Sequence, residues 1–398
     1  MKDALKSINK KYLYIIAGIF GAIILILIIV AISRGCSKPG KNYAKVEEKI
    51  VSAARNYYKE HSDMIPKDAN KDTVSAATLA ETGYMKALSE YLEDTSCTAD
   101  LTIYNNGGQY LLVPNLVCAE YKTVHLVDKV KEDNLITSTG ETTTPTESSQ
   151  SGGETNNAPV GSEAVNSKDY ISGLYEDNGV YVFKGKNPNN YLVLSGITWR
   201  ILDINENGIM RVIKTDAEKR ATYWDTKYNS QENKREGIND YKNSTLREKL
   251  YADYAKFKDE NKAHLAPFNA CVGKRDVNTI VADRNIDCAE VLENQYIGVI
   301  NSSDFARGSL DENCVNINQA ACTNYNYLNN FVLQSWTSNS ISSDTYQVIY
   351  INSGTASKIG SNKSATYHWV IAINGDEKYI SGNGTLNDPY VVGKKSKK

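Results

Sequence analysis

The sequence predicts an α+β protein built as a single N-terminal transmembrane helix, a small α+β domain, a linker and a larger α+β domain stapled by disulfides. Three observations predict it. Residues 12–33, YLYIIAGIFGAIILILIIVAIS, contain no charged side chain. Six of the seven cysteines fall as three local pairs, Cys97/Cys118, Cys271/Cys288 and Cys314/Cys322. From Lys168 onward, short strand-like runs separated by Asn- and Gly-rich turns dominate.

Composition narrows the function classes. The 398 residues leave room for two domains plus accessory segments, at ~100–200 residues each. The 45 Lys and Arg nearly balance the 47 Asp and Glu, so no overall field recruits nucleic acid. The 27 tyrosines far outnumber the 6 phenylalanines, so most aromatic rings carry a polar tip suited to half-buried sheets and wet interfaces.

The first element is the uncharged run. Its length suffices to cross a hydrocarbon core of ~30 Å as a helix. A short tail, residues 1–11, holds Lys2, Lys6, Lys10 and Lys11 against Asp3. Together with a disulfide-compatible remainder, this tail predicts a single-pass cell-membrane protein with its C-terminal bulk extracytoplasmic. The competing reading is a cleaved signal peptide, whose apolar region is ~7–15 residues and ends small-x-small. The run here is longer and leaves as Ser33-Arg34-Gly35. Arg34 also departs from the small residues that precede a lipidated cysteine, so Cys36 is expected to stay unpaired.

Residues 41–125 read as the small domain. Val46, Ile50, Ala53 and Tyr57 recur at steps of three and four, which makes 41–60 an amphipathic helix. Ser75 and Gly83 mark the N- and C-caps of a second, short helix. Residues 101–104 and 110–113, joined by Asn105-Asn-Gly-Gly, read as a β-hairpin. Cys97 and Cys118 would clamp it. This order of elements, with the connector TLAETGYMKAL, resembles the pilin-like and pseudopilin family over residues 12–123. The resemblance implies a membrane-proximal helix on a small antiparallel sheet. The Gly and Glu of a processed prepilin leader are absent, so filament formation does not follow.

Residues 126–167 read as a linker. The stretch 137–166 is rich in Thr, Ser and Gly and too poor in large apolar residues to bury a core. Beyond it, residues 168–393 offer strands at 179–184, 197–204, 209–214, 296–300, 347–351 and 368–373. A helix is expected over 243–258, with Thr245 and Glu248 as a capping box. The ordered motifs NYLVLSGITWRILDINENGIMRVI, YIGVINSSDFARG, YLNNFVLQSWTSNS and HWVIAIN…YISGNGTLNDPYVV resemble an exported domain of Gram-positive bacteria, of unknown function, with a C-type-lectin-like fold related to formylglycine-generating enzymes. The turn residues Gly382, Asn383, Gly384, Asn387, Asp388 and Pro389 predict a reversal into a last strand at 390–392, which the resemblance makes the closing strand. His368-Trp369-Val370 stands where that family often has Val-Arg-Pro. The basic tail KKSKK, 394–398, reads as solvated.

Chemistry is sparse. There is no G-x-S-x-G, P-loop or HExxH pattern. Asp311-Glu312 and Asp376-Glu377 are sequence neighbours, which on a strand point to opposite faces and make no glycosidase pair. The cysteine spacings fit disulfides better than zinc, and pairing by proximity is one of the many connectivities six cysteines allow. DENCVNINQAAC offers oxygen ligands without the EF-hand spacing, and no metal or other cofactor is expected. Asp304 and Arg307 could form a structural pair, and Trp199 and Trp336 read as core by default. Tyr325, Tyr327 and Trp336 are the candidate ligand-binding residues, because aromatic faces stack on sugar rings. The expected role is therefore non-catalytic binding or assembly at a bacterial cell surface. Its partners would be the membrane, a glycan or wall polymer, or other envelope proteins. The rivals are an enzyme acting on wall or surface glycan and the ligand-binding subunit of a membrane receptor.

Overall fold

The computed structural model describes residues 41–136, 170–279 and 284–393. It is mixed, with 23% helix and 34% strand, and divides into two compact units. The first holds residues 41–60 with Val74–Leu101 and Asn115–Lys122. The second holds His61–Thr73, Thr102–Pro114 and the described residues from Thr123 onward.

The single-pass expectation is corrected here. No helix among the described residues is long and apolar enough to cross a membrane. The longest in sequence order at the start, α1 (Tyr43–Glu60), is amphipathic and carries Lys45, Glu48 and Lys49 on its outer faces. The run 12–33, Cys36, the stretch 137–166 and the tail 394–398 lie outside the described residues.

In the first unit, α1 buries Val46, Ile50, Ala53, Ala54 and Tyr57, the face that its periodicity predicts. A short helix α2 (Ala76–Glu81) follows strand β1 (Lys71–Ser75). Ser75 caps it through Oγ, which accepts the Thr78 N–H at 2.9 Å, and Gly83 leaves it at φ +82°. The hairpin β2 (Thr98–Asn106) and β3 (Gln109–Val117) starts and ends in this unit, while its tip, Thr102–Pro114, is assigned to the second. It turns at Gly107 and Gly108, both at positive φ, as a tight two-residue turn requires. The strands order as β1-β2-β3, and Cys97–Cys118 closes the hairpin's base. Tyr121 stacks on Tyr43 at 4.4 Å and donates to the buried carboxylate of Glu47 at 3.0 Å.

In the second unit, residues 126–134 form a helix, α3 (Leu126–Asn134), inside the stretch read as linker. Leu126, Val127 and Val130 join the core, which is apolar spacing of three and four within an otherwise polar segment. The strands that follow are β4 (Gly173–Asp177), β5 (Val180–Lys184), β6 (Tyr191–Leu194), β7 (Ile197–Ile204), β8 (Ile209–Lys214) and β9 (Thr222–Tyr223). Next come α4 (Thr245–Tyr254), α5 (Asp259–Lys262), β10 (Leu265–Ala266), β11 (Phe268–Cys271), α6 (Arg284–Asp287) and β12 (Val291–Gln295). The last elements are α7 (Ser302–Arg307), β13 (Gln334–Ser340), β14 (Gln347–Asn352), β15 (Thr355–Gly360), β16 (Ser364–Ala365), β17 (Val370–Asn374) and β18 (Tyr390–Val392).

One eight-stranded sheet organises this unit, in the order β10-β17-β8-β7-β5-β4 with β6 and β18 as a branch. The branch exists because β7 changes partner along its length. Ile197–Arg200 pair with β6, whereas Asp203 and Ile204 pair with β5. β18 then adds parallel to β6, Tyr390 opposite Leu192, so the end of the chain returns to the sheet as expected. The return needs glycine. A Cβ on Gly384, at φ +76°, would lie 2.2 Å from the Asn189 carbonyl oxygen. Tyr390 fastens the strand by donating to Asp133 at 2.9 Å and accepting from Asn134 at 3.0 Å.

Two local expectations are corrected. Ser244, not Thr245, caps α4, its Oγ accepting the Arg247 N–H at 3.1 Å. Asp304 pairs with Arg211 and Arg307 with Asp177, because α7 packs its first turn toward β8 and its last toward β4. Arg211 is thereby held between Asp203 and Asp304, all three largely buried. The disulfides are Cys97–Cys118, Cys271–Cys288 and Cys314–Cys322, the pairing that proximity suggested.

Candidate functional site

The predicted recognition residues do not converge. Tyr327 is 1% exposed, its hydroxyl donating to the Ile201 carbonyl at 3.2 Å. Trp336 is fully buried and donates its indole N–H to the Thr222 carbonyl at 2.8 Å. Both are core, because the strand β13 and the turn before it face inward. Tyr325 alone reaches solvent, at positive φ, stacked on Tyr170 at 4.0 Å. The acidic loop 311–322 holds no vacant carboxylate at Asp311, which accepts from Asn313 and Asn324. Among the described residues the one cluster with metal-ligand spacing is Asp94, Cys97 and Cys118, whose sulfurs are spent in a disulfide.

A different place in the second unit has the shape of a site. A groove of about 1160 Å³ lies beside the branch of the sheet. Its apolar floor comes from β6, the β6–β7 turn and β18, including Val193, Ile197 and Val391. Ser195 and Gly196 make that turn with positive φ at both positions, the geometry a two-residue hairpin needs. A polar wall comes from the end of α4 through α5, including Asp253, Lys258, Glu260, Asn261 and His264.

Aromatic surface lies between them. Trp369, just before β17, packs at 5.4 Å from Phe257 and carries the Lys214 ammonium 4.3 Å from its ring centre. It is only partly buried, unlike the other three tryptophans of the chain. Asp253 is nearly inaccessible, and its carboxylate accepts from Lys249 at 2.5 Å, Lys256 at 2.9 Å and the Tyr367 hydroxyl at 2.9 Å. Burial pushes this carboxyl up, but those three donors outweigh it and hold it below the usual range.

His264 completes the wall. Its Nδ1 lies 2.9 Å from both carboxylate oxygens of Glu377, which is 5% exposed. Burial disfavours the imidazolium. The hydrogen bond and charge of Glu377, with Glu260 behind them, prevail and raise His264 above its ordinary value. Burial likewise raises Glu377, against the opposing pull of the His264 hydrogen bond and charge. The carboxylate fixes Nδ1 as the donor in neutral imidazole and leaves Nε2 at the groove side beside Gly393.

Sequence reasoning missed His264 and Glu377. They lie 113 residues apart, and no spacing rule joins them. No protein-family model, curated protein or solved structure matches the chain.

Proposed function

We propose that the second unit is a non-catalytic binding module and that its groove takes an oligosaccharide, such as a segment of a glycan or wall polymer. The observation that carries this reading is the pairing of the Trp369–Phe257 aromatic surface with a rim of hydrogen-bonding side chains in one groove. Sugar rings offer C–H faces for an aromatic side chain and hydroxyls for polar neighbours, so a ligand of that kind matches both halves. The two disulfides of this unit, Cys271–Cys288 and Cys314–Cys322, suit a module working in an oxidising environment. The catalytic alternative has less support. No hydroxyl or thiol side chain among the described residues hydrogen-bonds the His264 imidazole, so the pair lacks a nucleophile.

Trp369 supplies the assay. With Trp199, Trp224 and Trp336 fully buried, ligand in the groove changes the fluorescence of one accessible indole. Titration of the full chain with neutral and acidic oligosaccharides is expected to quench it saturably. Trp369→Leu should weaken the tightest of these, measured by calorimetry, by roughly 2- to 10-fold, the worth of one aromatic contact. Absence of binding across the set, in a chain that unfolds cooperatively, would reject the saccharide reading.

A further inference from the structure

We infer that the saccharide taken by this groove is an acidic one, whose carboxylate or phosphate is received along the wall from Lys256 to His264. The inference rests on the binding role proposed above and adds the chemical class of the ligand.

The argument is which charges remain available. Two carboxylates, Asp253 in the groove's lining and Glu377 outside it, are already committed. Asp253 is 3% exposed and faces Lys249, Lys256 and Tyr367, and Glu377 lies behind His264 with both oxygens on Nδ1. The remaining acid, Glu260, has a 76% exposed side chain at 3.9 Å from Lys258. Against it stand two exposed ammonium groups, the Lys256 and Lys258 side chains at 72% and 78%. Lys256 has donors to spare, since its bond to Asp253 uses one of them.

His264 adds a third cation when protonated. The groups facing it are Glu377, following β17, Glu260 of the α5 wall, and Gly393, following β18, which brings no side chain. A Cβ on Gly393 would stand 3.0 Å from Nε2, so glycine leaves that edge uncovered. With Nδ1 committed to Glu377, the imidazolium offers its second N–H at Nε2. Because His264 is raised above its ordinary value, this donor persists toward neutral pH and is lost as pH rises through the folded-state pKa. Acidic ligand should therefore bind best at low pH, while neutral ligand should be indifferent to this range.

The test uses the full chain and a pair of probes with the same sugar backbone, trigalacturonate and its uncharged methyl ester, with galactose 6-phosphate as competitor. Trigalacturonate is expected to bind about 10-fold more tightly than the ester, one charge pair's worth. Lys258→Glu should remove most of that preference without altering the melting temperature. His264→Gln should abolish the pH dependence that lies above the ordinary imidazole range while retaining part of the affinity. Competition by galactose 6-phosphate would extend the acceptor to phosphate, and its failure would confine it to carboxylate. Equal affinity for acid and ester, unaffected by Lys258→Glu, would overturn the acidic inference and leave the saccharide reading intact. No binding of either probe, nor of any neutral sugar, would reject both.

Discussion

Arg211 is the residue whose loss the structure predicts most sharply. Its guanidinium lies between two carboxylates, with Nε 3.0 Å from Asp203 Oδ1 and the terminal nitrogens 2.7 and 3.0 Å from the oxygens of Asp304. The side chains of Asp203 and Asp304 are 6% and 3% exposed. Burial opposes the charge on Arg211, but the two carboxylates outweigh it and hold the group well above its normal value. Arg211→Met retains the stem and deletes the charge, so two carboxylates face each other without a cation. Breaking a buried pair costs about 3–5 kcal/mol, a large share of the ~5–15 kcal/mol that holds a domain together. The sign with pH follows. In the variant the buried carboxyls have folded-state pKa values above the unfolded ~3.9, so the folded variant binds protons more readily as pH falls. Urea unfolding at about pH 7 and about pH 4.5 should show the deficit shrinking at the lower pH. A loss under about 1 kcal/mol at neutral pH, or one that grows on acidification, would refute the reasoning.

Two further outcomes follow from the fold. Replacing Cys271 and Cys288 by alanine releases a loop of 17 residues and is expected to cost about 3 kcal/mol by chain entropy, measured by denaturant unfolding against the oxidised parent. Trp336→Ala should cost about 3–5 kcal/mol by opening a cavity, whereas Tyr325→Ala, at an exposed ring, should leave stability within about 0.5 kcal/mol; similar losses from both would contradict their placement.

Local chemistry made much of the fold legible. Periodicity placed the buried face of α1, because a helix sorts residues by steps of three and four whatever it packs on. Ser75 and Gly83 revealed the limits of α2, and Asn-Gly sequences revealed the β2–β3 turn, since caps and tight turns depend on a few adjacent dihedrals. The disulfides were legible from proximity because each closes a loop of 21 residues or fewer. The closing strand, too, was legible in its run of turn residues before Tyr390.

What the tertiary structure alone decided is where distant segments meet. Whether Tyr327 faced solvent or the core turned on the strand it packs beneath, and Ile201 lies 126 residues away. The partners of Asp304 and Arg307 were set by β8 and β4, not by their own helix. The groove needs the β6–β7 turn, the α4–α5 wall and the last strand at once, and the His264–Glu377 pair exists because β10 is hydrogen-bonded beside β17. Hydrophobic pattern is a property of neighbours in the chain, so sequence alone revealed the strongly patterned elements such as α1 and β7, but not α3 in its polar surroundings. The strand expected at 296–300 stands instead at Val291–Gln295. A binding site is a property of neighbours in space, and sheet order determined that.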